Sequence, residues 1–179
     1  RAGNQAIRTL NGPAPAAYYN VDFGGSSGTK TLAGPIAVQN NLIISGIAKM
    51  DVSASNYDVT VAGNWDVTST EANPFAERSG IVILNGIASQ SLTTVLAAGE
   101  TFHILTINNT SSTGVVMNSK TSVANSLILT DGLVFTTASS VLTMNAGSSV
   151  SGTSNNSFVS GPVAKIGSTD FTFPVGKEA

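Results

Sequence analysis

The sequence contains no cysteine and a single histidine. Disulfides, thiol nucleophiles, iron–sulfur clusters and zinc fingers are therefore excluded, because each needs thiolate or several imidazole ligands. Charge is also scarce. Lys and Arg number 8, Asp and Glu 10, and all four together make 10% of the 179 residues, with a net charge of -2. An ordinary globular domain carries roughly 25%. No basic stripe exists to hold a nucleic-acid backbone, and no polybasic patch to meet an anionic membrane surface. Aromatic residues are 6%. No apolar run approaches the roughly 20 residues needed to cross a bilayer as a helix.

What fills the chain instead is small and uncharged: 23 Ser, 20 Thr, 16 Asn and 18 Gly. Hydrophobic residues still reach 41%, enough to build a core. They come as short runs, among them Val21-Asp22-Phe23, Leu42-Ile43-Ile44, Val59-Thr60-Val61, Leu105-Thr106-Ile107, Leu127-Ile128-Leu129 and Leu142-Thr143-Met144. Most alternate apolar with polar, which is the period of a strand, and Asn, Gly, Ser or Asp breaks separate them. Helix-forming stretches are missing, so the chain is all-β. The spacing of these runs selects a solenoid over an antiparallel β-sandwich. Phe23, Ile44, Val61, Ile83, Ile107 and Leu129 lie 21, 17, 22, 24 and 22 residues apart. A coil of three short strands and three turns needs roughly 20 residues. We expect a right-handed parallel β-helix of about eight coils over residues 1–179, the hand following the crossover rule. The local rival is a hairpin of 36–38 with 42–44 through Asn40-Asn41.

Stacked coils also account for the composition. Equivalent outward positions pile up about 4.8 Å apart, where like charges repel and Thr, Ser and Asn do not. A longer self-similarity is present: Tyr18–Phe23, Val38–Ile44 and Val59–Val61 align with Phe102–Ile107, Val123–Leu129 and Leu142–Met144 at offsets of 84, 85 and 83. An internal duplication of about 18–67 and 102–150 is expected from it. Its register predicts Leu127 and Leu129 inward and Ile128 outward. Residues 66–80, with Pro74 and the charges of Glu71, Glu77 and Arg78, read as a protruding loop.

Several phrases resemble the repeat region of large secreted proteins of the Bacteroidota. Phe102-His103-Ile104-Leu105-Thr106-Ile107-Asn108-Asn109 looks like their "F-x-N-L-T-I-N-N" phrase, Val59-Thr60-Val61-Ala62-Gly63-Asn64-Trp65 like "L-T-V-G-G-N-W", and Phe171-Thr172-Phe173-Pro174-Val175-Gly176-Lys177 like "F-T-F-P-V-G-K". The likeness covers roughly residues 18–177. It implies a cell-surface adhesin or gliding-associated protein, secreted to the bacterial surface through the type IX secretion machinery by a sorting domain elsewhere. On that reading the chain is a piece of a longer protein.

No catalytic set stands out. His103 would have to serve any Ser-His-Asp triad, and no Gly-x-Ser-x-Gly elbow accompanies it. A polysaccharide hydrolase needs carboxylates about 5–9.5 Å apart; Asp51, Asp58 and Asp66 are the densest acidic group and form no D-D or D-x-D pair. No calcium-loop pattern occurs. Neither a metal nor a cofactor is expected. Trp65, Tyr18 and Tyr19 are the candidate glycan contacts, as aromatic platforms for sugar rings. The expected function is a non-catalytic stalk or spacer of a surface adhesin. The alternatives are a carbohydrate-binding module acting on glycans or surface polymers, and a degenerate polysaccharide-acting enzyme.

Overall fold

The computed structural model describes residues 3–7 and 15–177. The chain winds as a right-handed parallel β-helix with about seven turns. The first coil is β1 (Gln5–Ile7), β2 (Ala16–Tyr18) and β3 (Val21–Phe23); the second is β4 (Thr29–Leu32), β5 (Ile36–Val38) and β6 (Leu42–Ile44). The third is β7 (Lys49–Asp51), β8 (Val59–Val61) and β9 (Trp65–Val67); the fourth is β10 (Phe75–Ala76), β11 (Ile81–Leu84) and β12 (Gln90–Thr94). In the fifth coil β13 (Glu100–Asn108) runs across two faces before β14 (Val115–Met117), and in the sixth β15 (Thr121–Asp131) does the same before β16 (Val134–Phe135). The seventh is β17 (Leu142–Met144), β18 (Ser149–Ser151) and β19 (Val159–Ser160), and β20 (Val163–Lys165) begins an eighth.

Every strand pairs in parallel with its equivalent one coil away. Leu42 and Ile44 of β6 pair with Val21 and Phe23 of β3 on one side, and with Trp65 and Val67 of β9 on the other. The strands β5 and β6 lie in different sheets, so the Asn40-Asn41 hairpin, and with it the sandwich, is not formed. Along the second face the inward partners Val38, Val61, Leu84, Ile107 and Leu129 succeed one another every 22 or 23 residues. The 17-residue step between Ile44 and Val61 is a change of face rather than a short coil, since Ile44 belongs to the third face and Val61 to the second.

The aligned halves of the sequence also fall on different faces. Val59–Val61 lies on the second face, whereas Leu142–Met144 lies on the first. Leu42–Ile44 lies on the third, whereas Leu127–Leu129 pairs within the second. An offset of 84 thus spans eleven strand positions, not a whole number of coils. The inside–outside alternation survives this shift because strands on all three faces share it. Leu127 and Leu129 are fully buried and Ile128 is partly exposed. The 66–80 segment is woven into the coils: Asp66 and Val67 belong to β9, and Phe75 is buried in β10. Within it, Thr70, Ala72, Asn73, Arg78 and Ser79 are exposed. Arg78 is held by a bidentate pair of bonds to Asp51, at 2.6 and 2.8 Å.

One hydrophobic cluster fills the interior from Phe23 to Val159. Burying such aliphatic ladders supplies the main drive to fold, at roughly 25 cal/mol per Å2 of apolar surface. Asparagine does the work at the turn before the third face. The Asn20 side-chain oxygen accepts the Asn41 backbone N–H at 3.0 Å, Asn41 accepts Asn64 N–H at 2.9 Å, and Asn64 accepts Ser91 N–H at 2.9 Å. Each amide thereby satisfies a backbone N–H one coil away, at the turn or at the start of the strand that follows it.

Candidate functional site

The corner between the second and third faces varies in length, and this variation shapes the surface. In the fifth coil six residues, 109–114, join β13 to β14. In the sixth only Gly132 and Leu133 join β15 to β16. In the seventh, seven residues, 152–158, join β18 to β19. A short corner between two long ones leaves a notch. Its volume is about 900 Å3, and residues 175–177 of the following turn close its far end.

The walls of the notch are set by side chains bonding to nearby backbone. On the fifth coil Asn109 is fully buried; its Oδ1 accepts the Ser111 N–H at 2.8 Å, while its Nδ2 donates to Gln90 Oε1 and to the Ala88 carbonyl, each at 2.8 Å. Ser111 Oγ in turn accepts the Thr113 N–H at 3.1 Å. On the seventh coil Ser154 and Ser157 exchange backbone bonds of 2.9 and 3.2 Å, which lifts Asn155 and Asn156 to the tip of a tight turn. The floor is tied to both walls: the Gly132 N–H donates to the Asn156 carbonyl at 3.2 Å, and the Asn109 N–H to the Asp131 carbonyl at 3.0 Å. Gly132 has a φ of 88°, and a Cβ there would run into the Asn109 carbonyl oxygen. Only glycine lets the short corner pass beneath its neighbour. At the far end Gly176 lies against the Phe158 ring and donates its N–H to the Val159 carbonyl at 3.1 Å.

Comparison with family models, curated proteins and solved structures finds no match to this chain. The site must therefore be read from its own geometry. Among the described residues, Asp131 and Lys177 are the charged ones lining the notch, and their signs offset. The exposed side chains of Thr110, Ser112, Asn155 and Asn156 present neutral donors and acceptors, while Leu133 and Val175 supply an apolar patch.

The aromatic candidates lie elsewhere. Trp65 cannot contact a glycan, because it is fully buried, with ring centroids 4.8 Å from Phe75 and 5.2 Å from Phe102. Its alternation with Asp66 explains why: the outward aspartate on β9 turns Trp65 and Val67 inward. Tyr18 is half-buried and packs on the core. Tyr19 is 68% exposed, but it sits on the first coil, four coils from the notch. His103 occupies the corner where β13 shifts register between Phe102 and Ile104. The acidic trio is dispersed. Asp51 ends β7 and pairs with Arg78, whose guanidinium holds the Asp51 carboxyl below its ordinary value. Asp58 is exposed before the second face, beside a hollow of about 240 Å3. Asp66 points out from the third face, where burial raises its carboxyl. No group of three or more His, Asp or Glu side chains converges among the described residues.

Lys30, Asp51 and Glu100 are the buried titratable side chains among the described residues, and Glu100 is the one the interior perturbs most. Glu100 begins β13 at an inward position, in register with Thr121, and is 3% exposed. Burial pushes its carboxyl up to about 8. The Thr101 N–H donates to Oε1 at 3.2 Å, whereas Oε2 and the neighbouring Trp65 Nε1 are buried and close no hydrogen bond. The indole and the Thr101 N–H favour the ionised form only weakly against desolvation, and Glu77 opposes it by like charge. Alternation in Glu100-Thr101-Phe102 carries the signal, since an inward Phe102 places Glu100 inward too.

Proposed function

We propose that this chain is a rigid, non-catalytic spacer in a secreted, adhesin-like protein of the bacterial cell surface, projecting a binding domain encoded elsewhere. The observation that carries the reading is the inward ladder that runs from the first coil to the seventh, with the second and third faces paired in parallel throughout and the first face paired in two blocks that meet between β10 and β13. The length of such a column follows from the coil count, because each coil adds about 4.8 Å. The dispersal of Asp51, Asp58 and Asp66 over separate corners and faces supports a non-catalytic role, since glycoside hydrolysis needs two carboxylates facing one bond. Export through the type IX machinery is part of the proposal and rests on the sequence phrases that resemble Bacteroidota surface proteins. The functional test is a swap in the parent protein. An unrelated solenoid with the same number of coils should preserve adhesion, and a flexible Gly/Ser segment of equal residue number should reduce it. Adhesion that survives only with the native sequence would overturn the spacer role.

A further inference from the structure

We propose that the notch between the fifth and seventh coils binds a neutral oligosaccharide. This does not rest on the spacer reading, and either can fail alone. The first argument is size: about 900 Å3 lies within the range of roughly 300–1,000 Å3 typical of ligand sites. The second is chemistry. Thr110, Ser112, Asn155 and Asn156 are exposed hydroxyls and amides, each able to donate and to accept, as a sugar hydroxyl requires. Leu133 and the half-exposed Val175 offer an apolar surface for the C–H face of a pyranose ring. The third is charge. Among the described residues, one carboxylate, Asp131, and one ammonium, Lys177, line the notch, with no cluster of positive charge to attract a phosphate, a nucleotide or a polyuronate.

Preorganisation strengthens the case. Side chains of Asn109 and Ser111 fix one wall, and the Ser154–Ser157 turn fixes the other. Neither wall must be ordered when a ligand arrives, so little conformational entropy is lost on binding. The neutral polar groups stand on the fifth and seventh coils, two steps or about 9.6 Å apart, and face one another across the short corner of the sixth. A sugar unit lying over Leu133 can meet both walls at once.

The test is titration of the 15N-labelled chain with neutral hexasaccharides of β-1,4-glucose, β-1,4-xylose, β-1,4-mannose and β-1,4-N-acetylglucosamine, and with hexagalacturonate as the charged comparison. At least one neutral sugar should saturate, with amide shifts confined to 110–112, 131–133 and 153–156. The double variant Asn155→Ala, Asn156→Ala should weaken that sugar tenfold or more with an unchanged melting temperature. Thr110→Arg, which fills the notch from the opposite wall, should do the same. The proposal is overturned if no neutral sugar saturates, if only hexagalacturonate binds, if the shifts lie on another face, or if both sets of variants leave the affinity unchanged.

Discussion

Replacing Glu100 with glutamine should remove most of the alkaline sensitivity of this fold. The native carboxyl is pushed up to about 8 from an ordinary value of 4.5, chiefly by burial among Trp65, Phe102 and their neighbours. The folded chain therefore keeps a proton that the unfolded chain has released. Glu100 contributes its full stability below about pH 4.5, loses it as pH rises towards 8, and changes nothing further above that. At about 1.4 kcal/mol per unit, the window is worth at most about 5 kcal/mol. That is a large share of a total stability of roughly 5–15 kcal/mol. Glutamine has the shape of the protonated acid and does not ionise. Urea melts at pH 5, 7 and 9 give the comparison. The difference between wild type and Glu100→Gln should grow by several kcal/mol across that range, with the variant the more stable at pH 9. The wild-type slope alone is not the readout, because Asp66, also raised by burial, adds a smaller fall of the same sign. Parallel pH profiles for the two proteins would show that Glu100 ionises freely, and the inward placement would be wrong.

Further outcomes follow from the same structure. Leu129→Asp places an unpaired charge in a fully buried ladder position, which costs several kcal/mol and should unfold or strongly destabilise the chain, whereas Ile128→Thr on the outer surface should melt within a few degrees of wild type. Asn41→Ala leaves the Asn64 N–H without its acceptor and should cost about 1 kcal/mol in urea denaturation, while Asn155→Ala, at an exposed turn tip, should cost almost nothing. Gly132→Ala forces a left-handed backbone against the Asn109 carbonyl and should destabilise by about 1–3 kcal/mol, with near-native circular dichroism.

The alternation of short apolar runs was legible as strands, and the light, uncharged composition as stacking. The facing of individual side chains followed wherever a polar residue separated two apolar ones, as at Leu105-Thr106-Ile107, and it held at Leu127-Ile128-Leu129. The face occupied by each strand was not legible. Strands on all three faces share one local pattern, so Val59–Val61 and Leu142–Met144 look equivalent although one lies on the second face and the other on the first. The size of Trp65 suggests a sugar platform, but Asp66 beside it marks the outward side and turns Trp65 inward. The notch is not legible in the sequence because it arises from a difference in corner length between neighbouring coils. Each of the breaks at Asn108–Ser112, Asp131-Gly132 and Ser154–Ser157 reads simply as a turn, and only the coil register shows that the middle one is short.

The central claim is a continuous parallel column, and one distance tests it. Ala17, Ala37, Thr60, Ile83, Thr106, Ile128 and Ser151 are successive partners up the second face. Ala17 and Ser151 are exposed, and the absence of cysteine makes the pair Ala17→Cys, Ser151→Cys a clean site for two spin labels. Six steps of about 4.8 Å separate them by about 29 Å along the axis. Double electron–electron resonance should give a single narrow distribution near that value, unchanged at moderate urea below the melt. A broad distribution, or a much shorter distance such as paired hairpins would produce, would contradict the solenoid.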